Sequence, residues 1–129
     1  MGKMATQPQE IKNMRLICHH DLNGVCNIGE GLALHQTAGG RRIFYMAHES
    51  TPKDVTSVDV TELANPKVIV QTELDYNHLR SNSLAIMGDT MLVAYQWQQT
   101  NQPVTGMGVY DIRNPEEPRR IAFFDEQGP

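Results

Sequence analysis

The chain has 129 residues, 40% hydrophobic and 20% charged, with a formal net charge of −4 and a pI near 5.7. That is the size of one ordinary domain with enough apolar residues for a packed core. Its longest basic clusters are the pairs Arg41–Arg42 and Arg119–Arg120, too little positive charge for nucleic acid or an anionic membrane as partner. No apolar run approaches the roughly 18 residues of a spanning helix, and "MGKMATQPQE" lacks the apolar stretch of a signal peptide. A cytoplasmic location is expected, with Cys18 and Cys26 as thiols. In chain order, residues 1–13 read as a flexible lead-in. Short strand-like runs follow: "MRLIC" from Met14, "GLALH" from Gly31, "RIFYMAH" from Arg42, "TSVDV" from Thr56 and "KVIVQTEL" from Lys67. After these come "NSLAIM" from Asn82, "TMLVAYQW" from Thr90, "GMGVYDI" from Gly106 and "RRIAFF" from Arg119. Each is strand-length and bounded by turn signals such as "TAGG", "ANP", "MGD" and "NPEEP". No long window carries a 3.6-residue apolar period.

The runs repeat. "SVDVTELANPKVIVQTEL" (Ser57–Leu74) lies over "GVYDIRNPEEPRRIAFFDE" (Gly108–Glu126). Asp59 falls on Asp111, Pro66 on Pro118, Ile69 on Ile121 and Leu32 on Leu84, each at an offset of 52 (111 − 59 = 52). The second hairpin is shorter, and Tyr45 falls on Val93 at 48 (93 − 45 = 48). Each unit is four short strands, the signature of a propeller blade. Asp59 and Asp111 end strands where an aspartate closes an Asx-type turn. Pro66 and Pro118 fix an extended entry to the next strand.

"SVDVTELANPKVIV" and "VYDIRNPEEPRRIAFF" resemble the LVIVD repeat. With "HHDLNG…GEGLAL", "YMAHE" and "RSNSLAIMGDTMLVAY", residues 14–129 are similar to the opening of bacterial LVIVD-repeat β-propeller proteins. A more distant likeness runs to the metal-using selenium-binding propellers, with no residue motif that carries their activity over. The resemblance implies an all-β fold of propeller blades. Residues 14–20 would be an outer strand closing another blade, 28–74 a first blade and 80–126 a second. Two blades cannot close a ring of about 4–8. The expectation is therefore a portion of a larger propeller, with a second polypeptide supplying the remaining blades; a truncated or processed piece and closure by copies of the same chain are the alternatives.

Blade geometry then places a site. With antiparallel strands and the first nearest the axis, fourth-to-first and second-to-third connections emerge on one face. The connections at Cys18–Gly29, Asp75–Arg80, His48–Asp54 and Trp97–Thr105 share that face, which holds His20, Asp21, Glu30, His48, His78, Arg80 and Trp97. Of the five histidines, only His35 belongs to the opposite end. Glu30, Arg80 and Asn82 enter first strands, nearest the axis. His20, His48, His78 and Glu30 are the candidate catalytic groups for acid–base work. Arg80, Asp21, Asn82 and Trp97 are the candidate substrate contacts, Arg80 through its fork of donors. Each has a structural alternative: Asp21 capping a loop beside a hydrogen-bonded histidine, Arg80 paired with Glu30 or Asp75, Trp97 covering a hairpin. Cys18, His20 and Cys26 are chemically fit for zinc, but their spacing matches no compact zinc pattern. No metal ligands are assigned and the cofactor is left open. Cys26 lacks a visible base for a nucleophilic role. Two functions fit: a subunit of a propeller enzyme acting on a small polar molecule, or a non-catalytic scaffold that binds protein.

Overall fold

The computed structural model describes residues 12–25, 27–50, 52–74, 79–97 and 105–125. Eight strands form: β1 (Ile28–Gln36), β2 (Arg42–His48), β3 (Lys53–Asp59), β4 (Lys67–Glu73), β5 (Leu79–Met87), β6 (Thr90–Trp97), β7 (Gly106–Asp111) and β8 (Arg119–Asp125). They make two antiparallel four-stranded sheets, β1-β2-β3-β4 and β5-β6-β7-β8, each following chain order. The fold is all-β, as expected, and among the described residues no helix is long and apolar enough to cross a membrane.

The turns are built from the residues that marked the repeat. Asp59 Oδ1 accepts the Thr61 N–H at 2.9 Å, and Asp111 Oδ1 accepts the Arg113 N–H at 3.0 Å. The backbone turns after them repeat too, with Asn65 N–H to Glu62 O and Glu117 N–H to Asn114 O. Gly40 (φ 85°) and Gly88 (φ 58°) supply the left-handed residues of the β1–β2 and β5–β6 hairpins.

Strand pairing corrects one equivalence. Ala33, Tyr45, Ser57 and Val70 are paired across the first sheet. Ala85, Leu92, Val109 and Ala122 are paired across the second. Tyr45 therefore stands over Leu92, an offset of 47 (92 − 45), while the other three strands keep 52 (85 − 33, 109 − 57, 122 − 70). A shift of one residue exchanges the two faces of a strand, so Val93 faces the core and Leu92 faces away.

The core lies between the sheets. Ile43, Tyr45, Ala47 and Val55 of the first meet Leu79, Leu84, Met91, Val93, Tyr95 and Ile112, all buried in one cluster. Burial stabilises by about 1.5–3 kcal/mol for each large apolar side chain. The first strands approach at backbone level: a Cβ on Gly31 would lie 2.4 Å from the Leu84 nitrogen. At one end of the molecule Arg41 bonds Asp59 at 3.0 Å and Glu116 of the β7–β8 turn at 2.7 Å. Buried His35 meets Asp89 of the β5–β6 turn at 2.9 Å through Nε2. Residues 14–20 pair with no strand among the described residues, and Met14, Leu16 and Ile17 are exposed. The outer strand expected there is not taken up by either sheet.

These ion pairs give stability a pH dependence. The Arg113 side chain and N–H hold the Asp111 carboxyl well below the usual carboxylate range. Burial pushes Asp59 up, but its Thr61 and Arg41 bonds outweigh that and bring it down. Arg41 likewise lowers Glu116. All three ionise more readily folded than unfolded. Their contribution is complete above the unfolded values of about 4 and is lost as pH falls through the lower folded values. The urea midpoint is expected to drop between pH 7 and pH 3, with a smaller drop in Asp111→Asn. A midpoint unchanged over that range contradicts this account.

Candidate functional site

The connection from Cys18 to Gly29 folds as a short 3-10 turn, Leu22–Gly24. His20 Nδ1 accepts the Leu22 N–H at 2.8 Å, and Asp21 Oδ1 accepts the Asn23 N–H at 3.1 Å. Both candidates therefore brace the loop. With Nδ1 as acceptor, the neutral His20 ring carries its proton on Nε2. Leu22, Asn23 and Asn27 have φ of 53°, 60° and 64°, a region that β-carbon residues enter only when held. Three bonds do the holding. The Leu22 carbonyl accepts from Gln71 Nε2 at 3.1 Å, Asn27 O accepts the Glu49 N–H at 2.7 Å, and Asn27 Nδ2 donates to Ser50 Oγ at 2.8 Å.

The last two bonds join the connection to the segment after β2, so two of the expected connections do meet on one face. His48 is different from its expected place. It is the final residue of β2, fully buried, with Nε2 2.7 Å from Thr56 Oγ1. Gln71 Nε2 also reaches Thr56 Oγ1, at 3.3 Å. A line of side chains thus runs from His48 through Thr56 and Gln71 to the turn that His20 and Asp21 brace. It joins the two histidines without bringing their rings together at an open site.

Glu30, Arg80 and Asn82 sit where β1 and β5 begin. The two strands are close there: a Cβ on Gly29 would lie 3.1 Å from Asn82 O. Glu30 is exposed, and Arg80 and Asn82 are half-buried. Arg80 Nη2 donates to Gln96 Oε1 at 3.1 Å. Its Nε is buried with no hydrogen-bond partner among the described residues, and no ion pair to Glu30 forms. Trp97 ends β6, its backbone opposite Leu79. His78, Asp75 and Cys26 lie outside the described residues. Cys18 is exposed. Among the described residues no group of three or more His, Cys, Asp or Glu is placed to hold a metal ion.

No protein-family model and no curated protein matches the chain.

A concave region was not anticipated. It is a cleft of about 430 Å³ lined by Asp54, Leu74, Leu79, Tyr95, Tyr110 and Arg120 among others. Tyr95 donates to Asp54 Oδ2 at 2.9 Å, and its oxygen is hydrogen-bonded to the Tyr110 hydroxyl. Burial, then the Asp54 charge, pushes the Tyr95 hydroxyl far above its ordinary range. It is therefore a fixed donor, not a base. Arg120 lies over the Phe123 ring at 5.4 Å. Asp54 and Tyr95 are 41 residues apart, and neither the strand period nor the repeat brings such a pair together in the sequence.

Proposed function

We propose that the chain is a portion of an LVIVD-like β-propeller, its two sheets acting as adjacent blades and the remaining blades coming from a further polypeptide. On this reading the face where β1 and β5 begin binds a small anionic molecule. Arg80 anchors it, with Glu30 and Asn82 alongside. The observation that carries the binding role is the buried Arg80 Nε without a hydrogen-bond partner among the described residues. A buried donor left unmatched costs about 1–3 kcal/mol, and a carboxylate or phosphate takes the guanidinium fork bidentately. Binding is better supported than turnover. His48 is enclosed against Thr56 and His20 Nδ1 is engaged by its own loop, so neither presents a ready general base.

Trp97 is the chain's single tryptophan, and it adjoins Gln96, the Arg80 partner. Titration with succinate or inorganic phosphate is expected to give a saturable change in its fluorescence. Arg80→Gln should weaken that response at least about tenfold, the loss of one charge-assisted pair. A saturable response that Arg80→Gln leaves unchanged, or no response in the wild type, overturns the proposal.

The scaffold reading is favoured by a separate observation, the apolar outer face of the second sheet.

A further inference from the structure

That face is the repeat equivalent of a face already docked. In the first sheet the row Ala33, Tyr45, Ser57 and Val70 looks toward the second sheet, since Tyr45 is in the shared core. Its equivalents are Ala85, Leu92, Val109 and Ala122. These look away from the core, because Met91 and Val93 on either side of Leu92 face into it. The next row outward in the second sheet is Ser83, Ala94, Met107 and Phe124. Seven of these eight side chains are hydrocarbon or thioether. Phe124 is 61% exposed, and Ile121, at the register shift of β8, 54%. A contiguous apolar sheet face of this kind marks an interaction surface.

The matching half is on the same chain. Leu84 and Val93 of the second sheet receive the first. Their equivalents at 52 and 47 are Leu32 and Met46, which pair on the outer face of the first sheet, Leu32 exposed and Met46 already buried within the chain. Beside them Leu34 pairs with Phe44, and Leu32 and Leu34 are 52% and 58% exposed. The two outer faces thus correspond to the two sides of the contact between β1–β4 and β5–β8. One feature does not repeat. Gly31 admits the close backbone approach to Leu84, and its equivalent is Ser83, whose Cβ occupies that space.

We propose that a second copy of this chain docks head to tail, its β1–β2 face (Leu32, Leu34, Phe44) on the outer face of the second sheet. The contact uses the geometry between the two sheets, held slightly wider at Ser83. It rests on reading the two sheets as successive blades, and it names the partner of that reading. Such a contact is heterologous, each copy offering a face to the next until about two to four copies complete a ring of about 4–8 blades.

Sedimentation velocity of the full chain over a range of concentrations tests it. The wild type is expected to associate as concentration rises, up to a closed oligomer of about two to four copies. Leu32→Lys and Ala85→Glu, both at exposed positions, should each weaken self-association at least about tenfold, as expected for a charge placed in an apolar contact. Mixed in equal amounts, the two variants should form a one-to-one dimer, because one keeps the first face and the other keeps the second. Ser83→Gly should tighten association. A monomeric wild type, or variants that fail to pair when mixed, overturns the second-copy contact. The Arg80 titration is a separate readout, so loss of this inference leaves the ligand site standing or falling on its own result. Circular dichroism of both variants checks that they remain folded, and a variant that unfolds is replaced by Leu34→Lys or Ala122→Glu, exposed on the same faces.

Discussion

Alanine in place of Gly31 is expected to destabilise the chain by about 3 kcal/mol or more, the upper end for overpacking. The added Cβ would sit 2.4 Å from the Leu84 nitrogen, 2.8 Å from the Ser83 carbonyl carbon and 2.9 Å from its Cα. All three are main-chain atoms of a paired strand, so no side-chain rotation relieves the overlap. Relief requires β1 and β5 to separate. That also loosens Leu84, Met91 and Val93 from the core they share with Tyr45. Gly39→Ala is the control, since its nearest neighbour is the Thr37 hydroxyl at 3.9 Å. Urea unfolding of the pair decides the matter. If Gly31→Ala and Gly39→Ala melt together, the two sheets are not held at the distance described.

Ser81→Ala should cost about 2–4 kcal/mol through a different cause. The Ser81 side chain is fully buried on β5. Its oxygen accepts the His48 N–H at 3.3 Å, and its hydroxyl donates to the Asp54 carbonyl. One hydroxyl of the second sheet therefore binds the end of β2 and the start of β3 in the first. Alanine removes both bonds in a place water does not reach, and each buried group left unmatched costs about 1–3 kcal/mol. Ser83→Ala, two residues away and exposed, should change little. Hydrogen exchange of the His48 amide gives a local check. Protection equal to wild type in Ser81→Ala would show that Ser81 is not what holds this junction.

Much of the fold was legible because its signals are local. Strand-length apolar runs and turn residues located all eight strands. The Asp59 and Asp111 turns could be read because an Asx turn needs only residues two apart. The error at Tyr45 has a definite origin. The first hairpin is longer by five residues (52 − 47), and where to place that difference is set by cross-strand pairing rather than by likeness of side chains. The shared face of the Cys18–Gly29 and His48–Asp54 connections was also legible, because strand direction alone decides it. The bracing of the loop by Asp21 and His20 was legible as their structural alternative, because both bonds span only two residues. The place of His48 was not, since it depends on Thr56, which carries no signal as an isolated polar residue on a strand. The cleft at Asp54 and Tyr95 was hidden for the same reason.

The junction at Ser81 also bears on how the chain folds. Hairpins as short as the Gly88–Asp89 turn suggest a molecule assembled from quick local steps. Yet the bonds that finish the β2–β3 junction come from a residue 33 and 27 positions away, and Arg41 is secured by Glu116, 75 positions on (116 − 41). The loop-closure entropy of those long separations falls before most of the stabilising contacts are made. The two sheets are thus tied to each other by contacts far apart in the chain, with β1 and β5 where they meet.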